Sequence, residues 1–123
     1  AADLGSVEAL FNLGNAYGYG EGVQEDDAKA IQFWANAAMQ GHVDSRNNLG
    51  TYEWVEGNHN RSVRHFLISA KMGNETSVEA TKEMLTMGLA TKEQYANALR
   101  GYQDAVEDTK SPEREEAQRL RNW

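Results

Sequence analysis

One short segment recurs three times along the 123-residue chain: Ala1-Ala2-Asp3-Leu4-Gly5-Ser6, Ala37-Ala38-Met39-Gln40-Gly41-His42 and a weaker Ser69-Ala70-Lys71-Met72-Gly73-Asn74. The three glycines are separated by 36 and then 32 residues. Self-similarity at that period marks an array of stacked helical hairpins, because a single hairpin cannot bury its apolar face without a neighbour. The expected fold is all-α, an α/α superhelix. Since the first copy stands at residue 1, residues 1–5 are expected to be the last turn of a helix from a preceding repeat.

Each unit repeats the same internal logic. Leu10, Leu13, Gly14 and Tyr17 fall at i, i+3, i+4 and i+7, one stripe of a helix. A glycine inside that stripe costs about 1 kcal/mol against alanine. The expected compensation is close approach of a second helix, whose facing side carries Ala30, Ile31, Trp34, Ala37 and Ala38. Between the helices, the glycines of Gly18-Tyr19-Gly20-Glu21-Gly22 suit a tight reversal, and Asp26 or Asp27 supplies an N-cap. Gly41 follows the second helix where a glycine just past the end would stop it. In the second unit Leu49 and Gly50 match Leu13 and Gly14, and Val63, Phe66 and Ala70 match Ile31, Trp34 and Ala38. The second set is offset by 32 rather than 36, so its interhelix loop is shorter by four residues.

A third, degenerate unit follows, with Val78, Thr81, Met84, Leu85 and Gly88 on a first helix. Thr91-x-x-Gln94 has the capping-box pattern opening a second, which carries Tyr95, Leu99, Tyr102 and Val106. Ser111-Pro112 has the chemistry of an N-cap followed by the first helical residue, and predicts a capping helix with Ala117, Leu120 and Trp123 on one stripe. The expected division is thus 1–5 (end of a preceding repeat), 6–41, 42–73 and 74–110 (repeats), and 111–123 (capping helix). Seven helices are expected after the opening stub, with no strand.

The pattern Leu13-Gly14-x-x-Tyr17, Gly20-x-Gly22-Val23, Asp26/Asp27, Lys29-Ala30, Trp34, Ala37-Ala38, Gly41-His42 resembles the Sel-one-like repeat, a relative of the tetratricopeptide repeat. The likeness is specific through residue 74 and looser beyond it. The second unit lacks the Gly-x-Gly-Val loop. What the resemblance implies is a right-handed solenoid that serves as an adaptor in protein complexes, without catalysis or cofactor.

Composition narrows the chemistry. With no cysteine there is no thiolate metal site, and His42, His59 and His65 form no i, i+4 pair, so no metal site is expected. His42 and His59 are expected to be solvated, and Arg61, Arg64 and His65 to lie on an ordinary solvated helix face, with a modest basic patch for an acidic partner as the alternative. The glycine run at 18–22 follows a helix rather than a strand and sits among Glu21, Glu25, Asp26 and Asp27, which repel phosphate. No catalytic constellation emerges. No run approaches the roughly 18 apolar residues of a membrane span, so no membrane insertion is expected.

The expected function is protein or peptide binding on the concave face lined by the first helix of each unit. In the Leu13 register its non-core positions are Glu8, Asn12, Asn15 and Tyr19. In the Leu49 register they are Asp44, Asn48, Thr51 and Val55, with Trp54 near the rim. Asparagine donates to and accepts from an extended backbone, and Asn12 and Asn48 occupy matching places. Two rival classes are RNA recognition by a helical repeat and an accessory segment of a larger enzyme. A net charge of −7 disfavours phosphate backbones, so no nucleic-acid partner is expected. The N-terminal edge, lacking an outer neighbour, is expected to expose an apolar strip including Leu4, Leu10 or Phe11 and to self-associate.

Overall fold

The computed structural model describes residues 4–121. These form six helices and no strand among the described residues: α1 (Leu4–Tyr19), α2 (Asp27–Met39), α3 (Val43–Val55), α4 (His59–Lys71), α5 (Glu75–Thr86) and α6 (Lys92–Arg121). Consecutive helices pack on one another, and α4 also packs on α6. Successive hairpins stacked in this way make an α-helical solenoid.

The helix ends follow the local signals closely. After α2 the backbone of Gly41 swings to φ +92°, which only glycine adopts without strain. Its N–H then donates to the Ala38 carbonyl and that of His42 to the Ala37 carbonyl, satisfying two acceptors that the helix end leaves open. Gly57, Gly73 and Gly88 close α3, α4 and α5 with the same pair of hydrogen bonds. At the other ends, Asp26 accepts from the Lys29 N–H at 3.2 Å to cap α2. Asn74 caps α5 at 2.8 Å. Thr91 and Gln94 exchange hydrogen bonds at 2.8 and 3.0 Å, completing the capping box before α6.

Glycine inside the stripe has the role expected of it. A Cβ on Gly14 would overlap Cδ1 and Nε1 of Trp34, and one on Gly18 would lie 2.8 Å from the same ring. One repeat later, a Cβ on Gly50 would lie 2.8 Å from Cε1 of Phe66. Trp34 and Phe66 are therefore equivalent wedges, each 5% exposed, each seated on the glycine of the preceding helix. The buried Ser62 hydroxyl donates to the Gly50 carbonyl at 2.7 Å, tightening the second hairpin at that same crossing. Ala30, Trp34 and Ala38 pack on Leu49, joining the first hairpin to the second. Val63 and Phe66 pack on Met84 and Ala90, and Ala70 and Val78 on Ala98, joining the second hairpin to the third.

Two expectations about the ends of the chain are corrected. Leu4 and Gly5 belong to the first turn of α1, not to the end of a preceding helix, and Gly5 does not adopt positive φ. Ala1 and Ala2 lie outside the described residues. The described residues form six helices rather than seven, because α6 runs through Ser111 and Pro112 without interruption. A proline interior to a helix removes one backbone hydrogen bond. The strong helix formers Glu113, Arg114, Glu115, Glu116 and Ala117 carry α6 past it. Of the expected capping stripe, Leu120 is exposed and Trp123 lies outside the described residues.

Candidate functional site

The first helices α1, α3 and α5 leave two cavities between them. The larger, about 290 Å³, opens where the C-terminal end of α1 and the start of α2 face α3. Trp34 forms part of its wall, and the exposed Tyr19 ring tilts against it at 6.4 Å. Asn48, Thr51 and Val55 line it from α3. The smaller cavity, about 170 Å³, lies between α3 and α5, with Thr51, Trp54, Phe66 and Glu83 among its lining residues. Thr51 borders both, so the two form successive stations on one side of the stack.

Of the nine positions expected to face a ligand, the larger cavity brings together Tyr19, Asn48, Thr51 and Val55, and the smaller adds Trp54. Glu8, Asn12, Asn15 and Asp44 line neither. Asn15 is half-buried behind the larger one, where its Oδ1 accepts from Trp34 Nε1 at 3.1 Å and from Asn48 Nδ2 at 3.2 Å. Glu8 reaches His42 Nε2 at 2.9 Å. Asn12 and Asp44 are exposed. The matching asparagines thus differ in environment: Asn12 is open, whereas Asn48 is half-buried and spends its amide on the neighbouring repeat.

Sequence reasoning missed the carboxylates. Glu25, Asp27 and Glu56 line the larger cavity together with Tyr52. Partial burial, then Glu56, Asp27 and Glu53, push the Tyr52 phenol above its ordinary pKa. The signal was present in Glu25, Asp26 and Asp27, from which the sequence alone implied no more than an N-cap at Asp26 or Asp27 and repulsion of phosphate. Only Asp26 caps through its side chain, which leaves the two flanking acids to face the cavity.

The histidines are also placed differently from expectation. His42 is half-buried and caps α3, its Nδ1 accepting from the Ser45 N–H at 3.2 Å while its ring lies 4.7 Å from that of Phe11. His59 opens α4 and packs 5.0 Å from the Trp54 ring. Arg61 and Arg64 are exposed, but His65 turns away from a surface patch: it is half-buried, with Nδ1 3.5 Å from Arg46 Nη1. Burial and the Arg46 charge lower its pKa, partly offset by Glu53. Among the described residues, no group of three or more histidine and carboxylate side chains is placed to hold a metal ion.

Comparison with known proteins agrees with the geometry. The Sel1 repeat family model matches residues 7–42 and again residues 44–74. Neither a search of curated proteins nor one of solved structures returns a match. The two matched segments correspond to the hairpins α1–α2 and α3–α4, and together they cover more than half of the sequence. The chain belongs to the Sel1 repeat family.

Proposed function

We propose that this chain is a non-enzymatic adaptor that binds an extended protein segment on the face formed by α1, α3 and α5. Sel1 repeats are generally protein-interaction modules and are typically non-catalytic. The observation that carries the reading is the pair of cavities meeting at Thr51, one per repeat junction, walled by aromatic rings and by polar groups from α3. Apolar walls with a few convergent polar groups are what ligand sites are built from. An RNA ligand is disfavoured because the charged groups that line the larger cavity are all carboxylates.

The test is selection of nonapeptides from a displayed random library on the full chain. Thr51→Arg places a long charged side chain at the junction of both cavities, and Thr51 is exposed, so the fold tolerates it. Selected peptides are expected to lose binding to Thr51→Arg and retain it on Gln32→Arg, an exposed position on α2. Retention on Thr51→Arg would overturn the assignment of the face.

A second interaction, self-association through the outer side of α1, is favoured by one contrast. Leu49 is 5% exposed, covered by α2, whereas Leu13 at the same register is 43% exposed. Leu10 and Phe11, expected to be bare, are half-buried, and Leu13 takes their place as the apolar edge. Sedimentation velocity should show a dimer that Leu13→Glu abolishes; a monomer at all concentrations refutes this contact.

A further inference from the structure

We propose that the larger cavity takes a lysine or arginine side chain from a basic, extended protein segment, a proposal that rests on the peptide-binding reading above and gives its partner a chemistry. The cavity is big enough for a long side chain, and its walls are of two kinds. Trp34, Tyr19 and Val55 present apolar and aromatic surface suited to a methylene stem. Glu25, Asp27 and Glu56 supply three carboxylates, and no lysine, arginine or histidine is among the lining residues.

Among the described residues none of the three carboxylates is held in an ion pair, and Lys29, the cation on the adjoining turn of α2, places its ammonium over the Tyr17 ring at 5.1 Å instead. The pKa of the Tyr52 phenol beside them is raised first by burial and then by Glu56 and Asp27. Neighbouring polar groups are already committed in ways that favour a donor ligand. Trp34 Nε1 is tied to Asn15, and the Thr51 hydroxyl donates to the Asn47 carbonyl at 3.2 Å. What Thr51 and the Asn48 carbonyl oxygen still offer is acceptance, which suits an ammonium, a guanidinium or a backbone N–H. The Tyr19 and Trp34 rings on the cavity wall are electron-rich surface, beside which a cation is favoured. The net charge of −7 draws basic segments towards the chain as a whole.

The experiment measures fluorescence anisotropy of a labelled nonapeptide of alternating serine and lysine, titrated with the full chain. Two companion peptides carry acetyl-lysine or glutamate in place of lysine. The groove variant combines Glu25→Gln, Asp27→Asn and Glu56→Gln. A control of equal charge change combines Glu79→Gln, Asp104→Asn and Asp108→Asn, all exposed and outside the cavity. The expected result is lysine-peptide binding weakened by about tenfold or more in the groove variant and by less than about twofold in the control, with the acetylated and acidic peptides weak throughout. Equal weakening in both variants would mean that only overall charge matters, and would overturn the proposal. If the acetylated peptide binds as tightly as the basic one and loses binding on Thr51→Arg, the peptide face stands and the cation pocket falls. If none of the three peptides binds, the cation pocket falls while the face is judged by the library selection; if they bind and Thr51→Arg changes nothing, both fall together.

Discussion

Replacing Gly14 by alanine sets two physical effects against each other, and the structure decides the sign. Helix propensity alone favours alanine by about 1 kcal/mol inside a helix. The added methyl, however, would occupy space held by Cδ1 and Nε1 of Trp34, a ring that is 5% exposed and fixed by its hydrogen bond to Asn15. Overpacking of this kind costs about 1–3 kcal/mol. Pushing the indole off Asn15 forfeits a further hydrogen bond of about 1 kcal/mol. The net expectation for Gly14→Ala is a loss of about 1–3 kcal/mol, which for a chain of this size lowers Tm by about 5–15 °C. Urea and thermal unfolding measure it. The decisive control is Trp34→Leu, which removes the ring that the methyl meets. In that background Gly14→Ala should cost nothing or stabilise by up to about 1 kcal/mol, the propensity gain alone. A neutral or stabilising Gly14→Ala in the native chain, or an equal loss in both backgrounds, would refute the wedge.

Three further outcomes follow from packing and charge. Leu49→Ala should cost about 2–5 kcal/mol and Leu13→Ala about 1 kcal/mol or less, although the two share a register, because only Leu49 is covered; equal losses in urea unfolding would show that the outer side of α1 is packed. Trp34→Ala should cost about 3–5 kcal/mol, a large fraction of the stability of a domain this size, and a loss below about 1 kcal/mol would mean the indole is not a core residue. His65 has a lowered pKa in the fold through burial and the Arg46 charge, so its neutral form is the one that folding favours. Its contribution is complete above the ordinary value near 6.5 and declines as pH falls through 6.5 towards the lowered folded pKa, so Tm should fall over that window and His65→Gln should flatten the dependence.

Much of the hairpin architecture was legible because its determinants are local. The Leu-Gly stripe and the aromatic wedge each recur in the second unit, 36 and 32 residues on, and Gly14 with Trp34, or Gly50 with Phe66, meet within a single hairpin. The chain ends were not, because their signals have two physical meanings. Ser111-Pro112 fits a helix start but is also tolerated within a helix of strong formers, and Gly5 stops a helix only where the backbone turns to positive φ. In the candidate site, Tyr19, Thr51 and Val55 followed from the helical register alone. The partnership of Asn15 with Asn48 did not, since it forms between two repeats and depends on how they stack. Nor did the division of the Glu25-Asp26-Asp27 cluster, because capping requires only one of the three and the sequence does not say which.

Asn15 has a consequence for folding cooperativity. A single carbonyl oxygen, with room for two donors, takes one from the indole of its own hairpin and the other from the amide of the next. Closing the first hairpin therefore fixes the acceptor that the second repeat needs in order to dock, and docking in turn restrains the indole. In a linear array, where stability is intrinsic repeat terms plus nearest-neighbour terms, such a shared atom moves free energy from the first kind to the second. The first two repeats should then open as one unit in hydrogen exchange, with neither fraying ahead of the other.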